Sequence, residues 1–419
     1  MPVSVNNKKG DLLELLIEKL VYGGDGLAHH GTQACFVSDV VPEEKVVAKV
    51  DKIKSQYLFA TAVEILIPSS SRTEPVCPLF YTCVGCQWQH MEYEHQLYWK
   101  QENVKECLAR IAGIKEIKIP LPVASSPFNY RSRARLKVKS GTKPVIGFYR
   151  RKSHSVIPVE NCALLAAPLN RALNQCREML TDNPAEFSDV SEIDMLGVTN
   201  SSQVLISFKY RKKNKSRQYL LGGDLTEPSL TSKMFSEEIN GMLYQRDNTA
   251  FYQSNFMQNI ELINLVIKYL SACSNDKILE LFCGTGNFSL FLARAGAEVF
   301  GVESNACSIN QAIANAEMNS IGNCNFIKAD VDKIPQYLLR SGFSGVLMNP
   351  PRTGCSEKIL NEIALMNPDI IVYVSCNPST LARDLKKLVK SGYIIDKIQP
   401  VDMFPQTYHI ETIVKLIRM

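Results

Sequence analysis

No stretch of this 419-residue chain approaches the run of about eighteen apolar residues that crosses a bilayer as a helix. That absence argues against an integral helical membrane protein. The opening Met1-Pro2-Val3-Ser4-Val5-Asn6-Asn7-Lys8-Lys9 also lacks the apolar core of a secretory signal, so a soluble, cytoplasmic protein is expected. There is no internal repeat and no low-complexity tract. A strong overall charge is missing too: the net value is +5, and only local excess can point to a polyanionic partner. Cysteine is not scarce. Thirteen of them are scattered through a large chain, which argues for a reducing compartment and for metal or catalytic use over a disulfide framework.

What is present is enough for two to four domains, with an apolar content of 45% that is ordinary for globular proteins. Residues 8–67 read as short strands, including Leu12-Leu13-Glu14-Leu15, Ala34-Cys35-Phe36-Val37 and Lys45 to Val50, broken by Gly23-Gly24-Asp25-Gly26 and Pro42-Glu43-Glu44. Such spacing predicts a small β-barrel. Pro68-Ser69-Ser70-Ser71-Arg72 reads as a linker, and Tyr93 to Ala112 carries a helical period.

From Phe128 to Lys152 the chain holds Arg131, Arg133, Arg135, Lys137, Lys139, Lys143, Arg150, Arg151 and Lys152 with no acid between them. A strand would put Arg131, Arg133 and Arg135 on one face. Phe128, Tyr130, Phe148 and Tyr149 are interleaved, which suits phosphate contacts beside base stacking. The alternative is a solvated strand face; the expectation taken here is an RNA track. A second basic stretch, Lys209 to Arg217, is left open between a track and a charged hairpin tip.

Beyond about residue 245 strands and helices alternate: strands at Lys277–Phe282, Glu298–Val302, Asn325–Lys328, Gly345–Met348 and Ile370–Val374, with helices at Phe288–Ala295 and Ser308–Asn319. That order predicts a parallel, doubly wound sheet. The first strand runs into Cys283-Gly284-Thr285-Gly286-Asn287, a turn whose glycines let backbone approach a ligand. A dinucleotide fingerprint would place a third glycine at 289, where the chain has Ser289. With Glu303 ending the next strand, S-adenosylmethionine fits better: an ionised carboxylate there would accept from two ribose hydroxyls, and Asp330 would lie beside the adenine.

Two further segments reach the same crevice. Met348-Asn349-Pro350-Pro351-Arg352 is a stiff loop that alone does not choose between nitrogen and carbon as methyl acceptor. Ser375-Cys376-Asn377 places a thiol at the end of the apolar run Ile370–Val374. Buried cysteine is usually a small hydrophobe. At a strand's carboxyl end, beyond a cofactor turn, it is a candidate nucleophile. Carbon 5 of uracil is unreactive until a thiolate adds at carbon 6, and a base must then take the carbon 5 proton before the thiol can leave. Glu411, in Thr407-Tyr408-His409-Ile410-Glu411-Thr412, is the candidate base.

At these residues the chain resembles the RNA 5-methyluridine methyltransferase family, through Glu280–Phe288, Asn349–Arg352, Ser375–Asp384 and Asp402–Glu411. The resemblance implies Cys376 as nucleophile and Glu411 as proton acceptor. It puts S-adenosylmethionine at Gln253, Phe282, Asn287, Glu303, Asp330 and Asn349, where many members have aspartate at the last position. Residues 8–67 resemble a TRAM domain, a small RNA-binding barrel. Cys77, Cys83 and Cys86, with Cys162, resemble the family's 4Fe-4S ligands, although zinc is also open to four thiolates. The combination resembles the branch acting on 23S ribosomal RNA. The implied architecture is a TRAM barrel over 1–68, a central α+β domain with the cluster over 69–244, and a Rossmann-like α/β methyltransferase domain over 245–419, in a monomer. The rivals are an amino methyltransferase using the Asn349–Arg352 loop and a non-catalytic RNA-binding assembly factor.

Overall fold

The computed structural model describes residues 7–419 except 142, 198–202, 212–215, 223–224, 231–234, 247–249, 251 and 272–275. Lys212, Lys213 and Lys215 of the second basic stretch, and Phe251 beside Gln253, therefore lie outside the described residues. The chain divides into two units. One comprises 1–103, 148–155 and 404–409; the other comprises 104–147, 156–403 and 410–419, so the expected central domain is shared between them.

In the first unit a six-stranded sheet takes the order Leu12–Leu16, Lys45–Ile53, Tyr57–Ile67, Gln33–Ser38, Gly26–His30, Lys19–Leu20. Strand alternation explains it: Leu13 and Leu15 enter a core with Val46, Ala48 and Val50, while Leu12 and Leu16 face out. At Gly26 a Cβ would stand 2.5 Å from Val40 and 2.8 Å from Ile17, so only glycine fits. The Ser69–Arg72 stretch is no free linker. Arg72 pairs with the fully buried Glu44 and donates to the Asp39 carbonyl at 3.0 Å, and Ser71 is buried.

The helix Tyr93–Cys107, continued by a π-turn over Leu108–Ala112, buries polar side chains that its periodicity does not announce. Gln96 and Lys100 are wholly buried. Gln96 exchanges hydrogen bonds with Gln406, and Lys100 donates to the Phe404 carbonyl at 3.1 Å.

The second unit holds two seven-stranded sheets. In the antiparallel one, Arg133–Lys139 pairs with Val190–Gly197 and Val145–Tyr149. The other contains β1 (Lys277–Leu281), β2 (Glu298–Glu303), β3 (Cys324–Lys328), β4 (Gly345–Met348), β5 (Ile370–Ser375), β6 (Tyr393–Val401) and β7 (Glu411–Arg418), in the order β3-β2-β1-β4-β5-β7-β6. β1 to β5 are parallel, and β7 runs antiparallel between β5 and β6. β4 and β5 are apolar and buried almost throughout, as strands covered by helices on both faces must be. The order reverses between β1 and β4, which places a ligand crevice at their carboxyl ends.

Candidate active site

The turn after β1 carries Phe282 at φ 63°, Gly284 at 56° and Gly286 at 81°. A left-handed phenylalanine is costly, and such residues persist where the surrounding structure dictates the backbone. Here the Cys283 amide donates to the Val302 carbonyl at 3.1 Å and the Gly286 amide to the Cys283 carbonyl at 3.0 Å. At Gly286 a side chain would meet Phe326 at 3.3 Å and Leu290 at 3.4 Å. Glu280, on β1, braces the turn from below: it is fully buried, accepts from the Ser289 hydroxyl, and burial pushes its carboxyl up to about 8. At the end of β2, Glu303 accepts from the Gly284 amide at 3.3 Å, the Asn305 amide at 2.8 Å and the Ser304 hydroxyl at 3.1 Å.

The other expected cofactor residues come from the same crevice edge. Asp330 caps a short turn by accepting from the Asp332 amide at 3.0 Å. Asn287 and Asn259 exchange reciprocal side-chain bonds, both 2.9 Å, which fix the Asn287 amide. Asn259 was not singled out in the sequence, because it sits on the helix Phe256–Leu270 with no motif around it. The Asn349 amide reaches the Leu281 carbonyl at 3.3 Å, tying that loop to the end of β1. Gln253 is half-buried two residues before Asn255, which caps the same helix. Left-handed backbone at the glycine turn and a carboxylate at the next strand end suit an adenosyl group.

Cys376 and Glu411 arrive from adjacent strands. β5 and β7 pair Ser375 with Thr412, so the next residues outward, Cys376 and Glu411, are neighbours across the ladder. Glu411 is 6% exposed, and its Oε2 has no hydrogen-bond partner. Burial pushes its carboxyl up to about 8, against the pull of Arg352. Burial, and after it the Glu411 charge, push the Cys376 thiol up to about 11, while Arg352 opposes through its charge and a hydrogen bond. The Arg352 carbonyl is itself held by Asn377 Nδ2 at 3.1 Å and Thr380 Oγ1 at 3.2 Å. Burial thus favours the protonated forms of both the thiol and the carboxyl beside one guanidinium, and proton loss supplies both nucleophile and base.

The strand Arg133–Lys139, expected as part of an RNA track, also carries ion pairs within the fold. Its charges do share one face, with Ala134, Leu136 and Val138 on the other. Three of the four, however, share two acids 55 to 61 residues away: Arg133 pairs with the fully buried Asp194 at 2.9 Å, Arg135 with Glu192 at 3.3 Å and Asp194 at 3.3 Å, and Lys137 with Glu192. Arg151 is used within the first unit, donating to the carbonyls of Cys83 at 3.0 Å and Cys86 at 2.7 Å and pairing with Asp39.

Among the described residues no group of three or more histidine, cysteine or acidic side chains is arranged to hold a metal ion, so the cluster expected at Cys77, Cys83, Cys86 and Cys162 is not shown. Their chemistry is still that of ligands. None of the four is in a disulfide, the Gly85 amide donates to Cys83 Sγ at 3.4 Å, and Gln89 donates to Cys86 Sγ at 3.1 Å. No helix among the described residues is long and apolar enough to cross a membrane.

A parallel sheet whose glycine turn and strand-end acid face a thiol and a carboxyl defines a methyltransferase of the S-adenosylmethionine-dependent class. Residues 229–419 match the tRNA (Uracil-5-)-methyltransferase family and residues 7–63 match the TRAM domain. An uncharacterized RNA methyltransferase of Listeria innocua is 32% identical over 445 residues, covering 98% of each chain. One from Clostridium acetobutylicum is 32% identical over 453 residues, again covering 98% of each. The crystal structure of Pyrococcus abyssi tRNA (uracil-54, C5)-methyltransferase in complex with S-adenosyl-L-homocysteine has the same fold, with a TM-score of 0.76 and 23% identity, over 96% of this chain and 99% of that one. The chain belongs to the RNA uracil-5-methyltransferase family, with an N-terminal TRAM domain.

Proposed function

We propose that this protein methylates carbon 5 of a uridine in 23S ribosomal RNA through a covalent adduct on Cys376. The observation that carries the mechanism is the neighbouring placement of Cys376, just past the carboxyl end of β5, and Glu411, at the amino end of the antiparallel β7, with Arg352 acting on both. S-adenosylmethionine, when bound, supplies the electrophilic methyl group. Phe282, Asn287, Glu303, Asp330, Asn349 and Gln253 are the residues proposed to hold it. Cys376, deprotonated, adds to carbon 6 of the base, and the carbon 5–carbon 6 electron pair moves onto the ring carbonyl as an enolate. Carbon 5 of the enolate would take the methyl group as the sulfonium carbon–sulfur bond breaks, its electron pair staying on sulfur and S-adenosylhomocysteine leaving. Glu411 then takes the carbon 5 proton, the double bond re-forms and the carbon 6–sulfur bond breaks, returning the Cys376 thiolate. A base stacked in a helix cannot present carbon 6 to a thiol at a strand end, so the target is flipped out.

RNA containing 5-fluorouridine tests this reading, because fluorine at carbon 5 prevents proton removal. A Cys376-linked, methylated adduct is expected; methylation of ordinary RNA with no adduct on the fluorinated RNA would replace it with the amino-methyltransferase reading. The ribosomal target rests on the TRAM domain together with the cysteine set. A transfer-RNA uridine is the second reading, favoured by the activity of the Pyrococcus abyssi protein of the same fold. Mass spectrometry of the two RNA pools from cells lacking the protein separates them by which pool loses 5-methyluridine. Cys77, Cys83, Cys86 and Cys162 are proposed to take up a 4Fe-4S cluster, a reading that rests on donor type and on the N–H···S bonds at Cys83 and Cys86. No step of the reaction passes through it. Iron and sulfide analysis of protein purified without oxygen tests it.

A further inference from the structure

The end of the segment after the nucleophile, Ala382-Arg383-Asp384, has no part in the chemistry above, yet it forms a polar cluster around a buried carboxylate. Asp384 is 1% exposed. Its Oδ2 accepts from the Cys355 amide at 2.8 Å and the Tyr373 hydroxyl at 2.7 Å, and its Oδ1 from Arg383 Nε at 2.7 Å. Arg383 passes the restraint on, donating to the carbonyls of Thr353 at 2.9 Å and Cys355 at 3.0 Å. Between them lies Gly354 at φ 75°, where a Cβ would stand 2.6 Å from both an Arg383 nitrogen and Asp384 Oδ2. The loop is therefore pressed onto this pair. With Asn377 and Thr380 on the Arg352 carbonyl, each of the four residues from Arg352 to Cys355 is bonded to, or packed against, the helix Pro378–Lys390.

We propose that Asp384, acting with Arg383, is a positioning residue for methyl transfer: the pair locks Arg352–Cys355 so that Arg352 stands against the Cys376 thiol as it adds to the base. The proposal rests on the reading of Cys376 as nucleophile. Its physical basis is the loop itself. A buried carboxylate that gathers one amide, one hydroxyl and one guanidinium is rigid, because the buried amide and hydroxyl, if released, would be left unsatisfied in a low-dielectric setting. The titratable and charged groups that face Cys376 are Glu411, from β7, whose ionised form disfavours the thiolate, and Arg352, from the locked loop, which favours it. Loosening the lock removes the favourable one.

The test is the rate of adduct formation on 5-fluorouridine RNA across neutral and alkaline pH, in the full-length protein. Asp384→Asn, Arg383→Gln, Arg352→Gln and the Asp384→Asn/Arg352→Gln double variant are compared with wild type. Asp384→Asn is expected to slow the adduct about 100-fold at neutral pH, as small misplacements of catalytic groups do. Its rate should climb at higher pH than wild type, following Arg352→Gln, and the double variant should be no slower than Arg352→Gln alone, since both act through one contact. Additive losses, or an Asp384→Asn pH profile that overlays wild type, would overturn the proposal. If Asp384→Asn does not fold, Arg383→Gln carries the test, its half-exposed side chain making it the milder change. The same pH displacement at smaller amplitude supports the lock, and an unmoved profile overturns it. A wild-type protein that methylates RNA without any Cys376 adduct would instead remove the reading beneath it.

Discussion

The strand Arg133–Lys139 and the loop Asn349–Cys355 both set arginine beside acidic side chains, and the two regions treat those charges oppositely. On the strand, Asp194 and Glu192 face Arg133, Arg135 and Lys137 directly, so each acid ends in an ion pair. At the loop, the acid is Glu411, whose Oε2 is buried without a hydrogen-bond partner and whose carboxyl is pushed up to about 8. An arginine matched by a carboxylate in ion-pair contact holds a fold together. An arginine shared between a thiol and a carboxyl whose burial favours their protonated forms is set for a reaction that moves protons.

Four substitutions break or sharpen that contrast. Cys376→Ala should abolish methylation and the covalent adduct while leaving RNA bound, read by methyl incorporation and a denaturing gel. Glu411→Gln should slow turnover by about 10²–10⁴-fold, the usual weight of a general base, and should accumulate methylated Cys376 adduct on ordinary uridine RNA. Asp194→Asn, on the strand, should cost about 3–5 kcal/mol of stability by leaving the partly buried Arg133 without its charged partner, with turnover per folded molecule unchanged. Arg135→Ala should alter stability by less than about 1 kcal/mol, as exposed pairs do. Its RNA affinity should keep the wild-type salt dependence; a salt slope reduced by about one unit would restore the strand as a phosphate track.

The sign of the pH effect on stability gives a smaller test of the same comparison. The folded value of Glu411, about 8, lies above its ordinary value of 4.5. The stability its protonated form contributes is therefore complete below the ordinary value and is lost as pH rises through the folded one. Glu411→Gln cannot ionise, so its melting temperature should gain on wild type through that window. A constant difference at all pH values would contradict the buried, protonated acid.

Much of the site was legible because its signals are local. The glycine turn after β1, the acid ending β2 and the thiol ending β5 are each written within a dozen residues, and the alternation of strands with helices fixes which end of the sheet they share. The partners were not legible, because they lie far away in sequence. Asp194 comes 61 residues after Arg133, and Gln406 comes 310 after Gln96. A basic strand and a helix with polar positions look solvated until register brings those partners in. The Ser69–Arg72 stretch misled for the same reason, since Glu44 lies 28 residues before Arg72.

The central claim is that Cys376 activates carbon 5 and Glu411 takes its proton, and RNA carrying tritium at carbon 5 of uracil tests it most directly. Each methyl group transferred should release one tritium to water, and Glu411→Gln should transfer methyl groups without that release. Wild-type methylation with the tritium retained would place the methyl group elsewhere on the base and contradict the account.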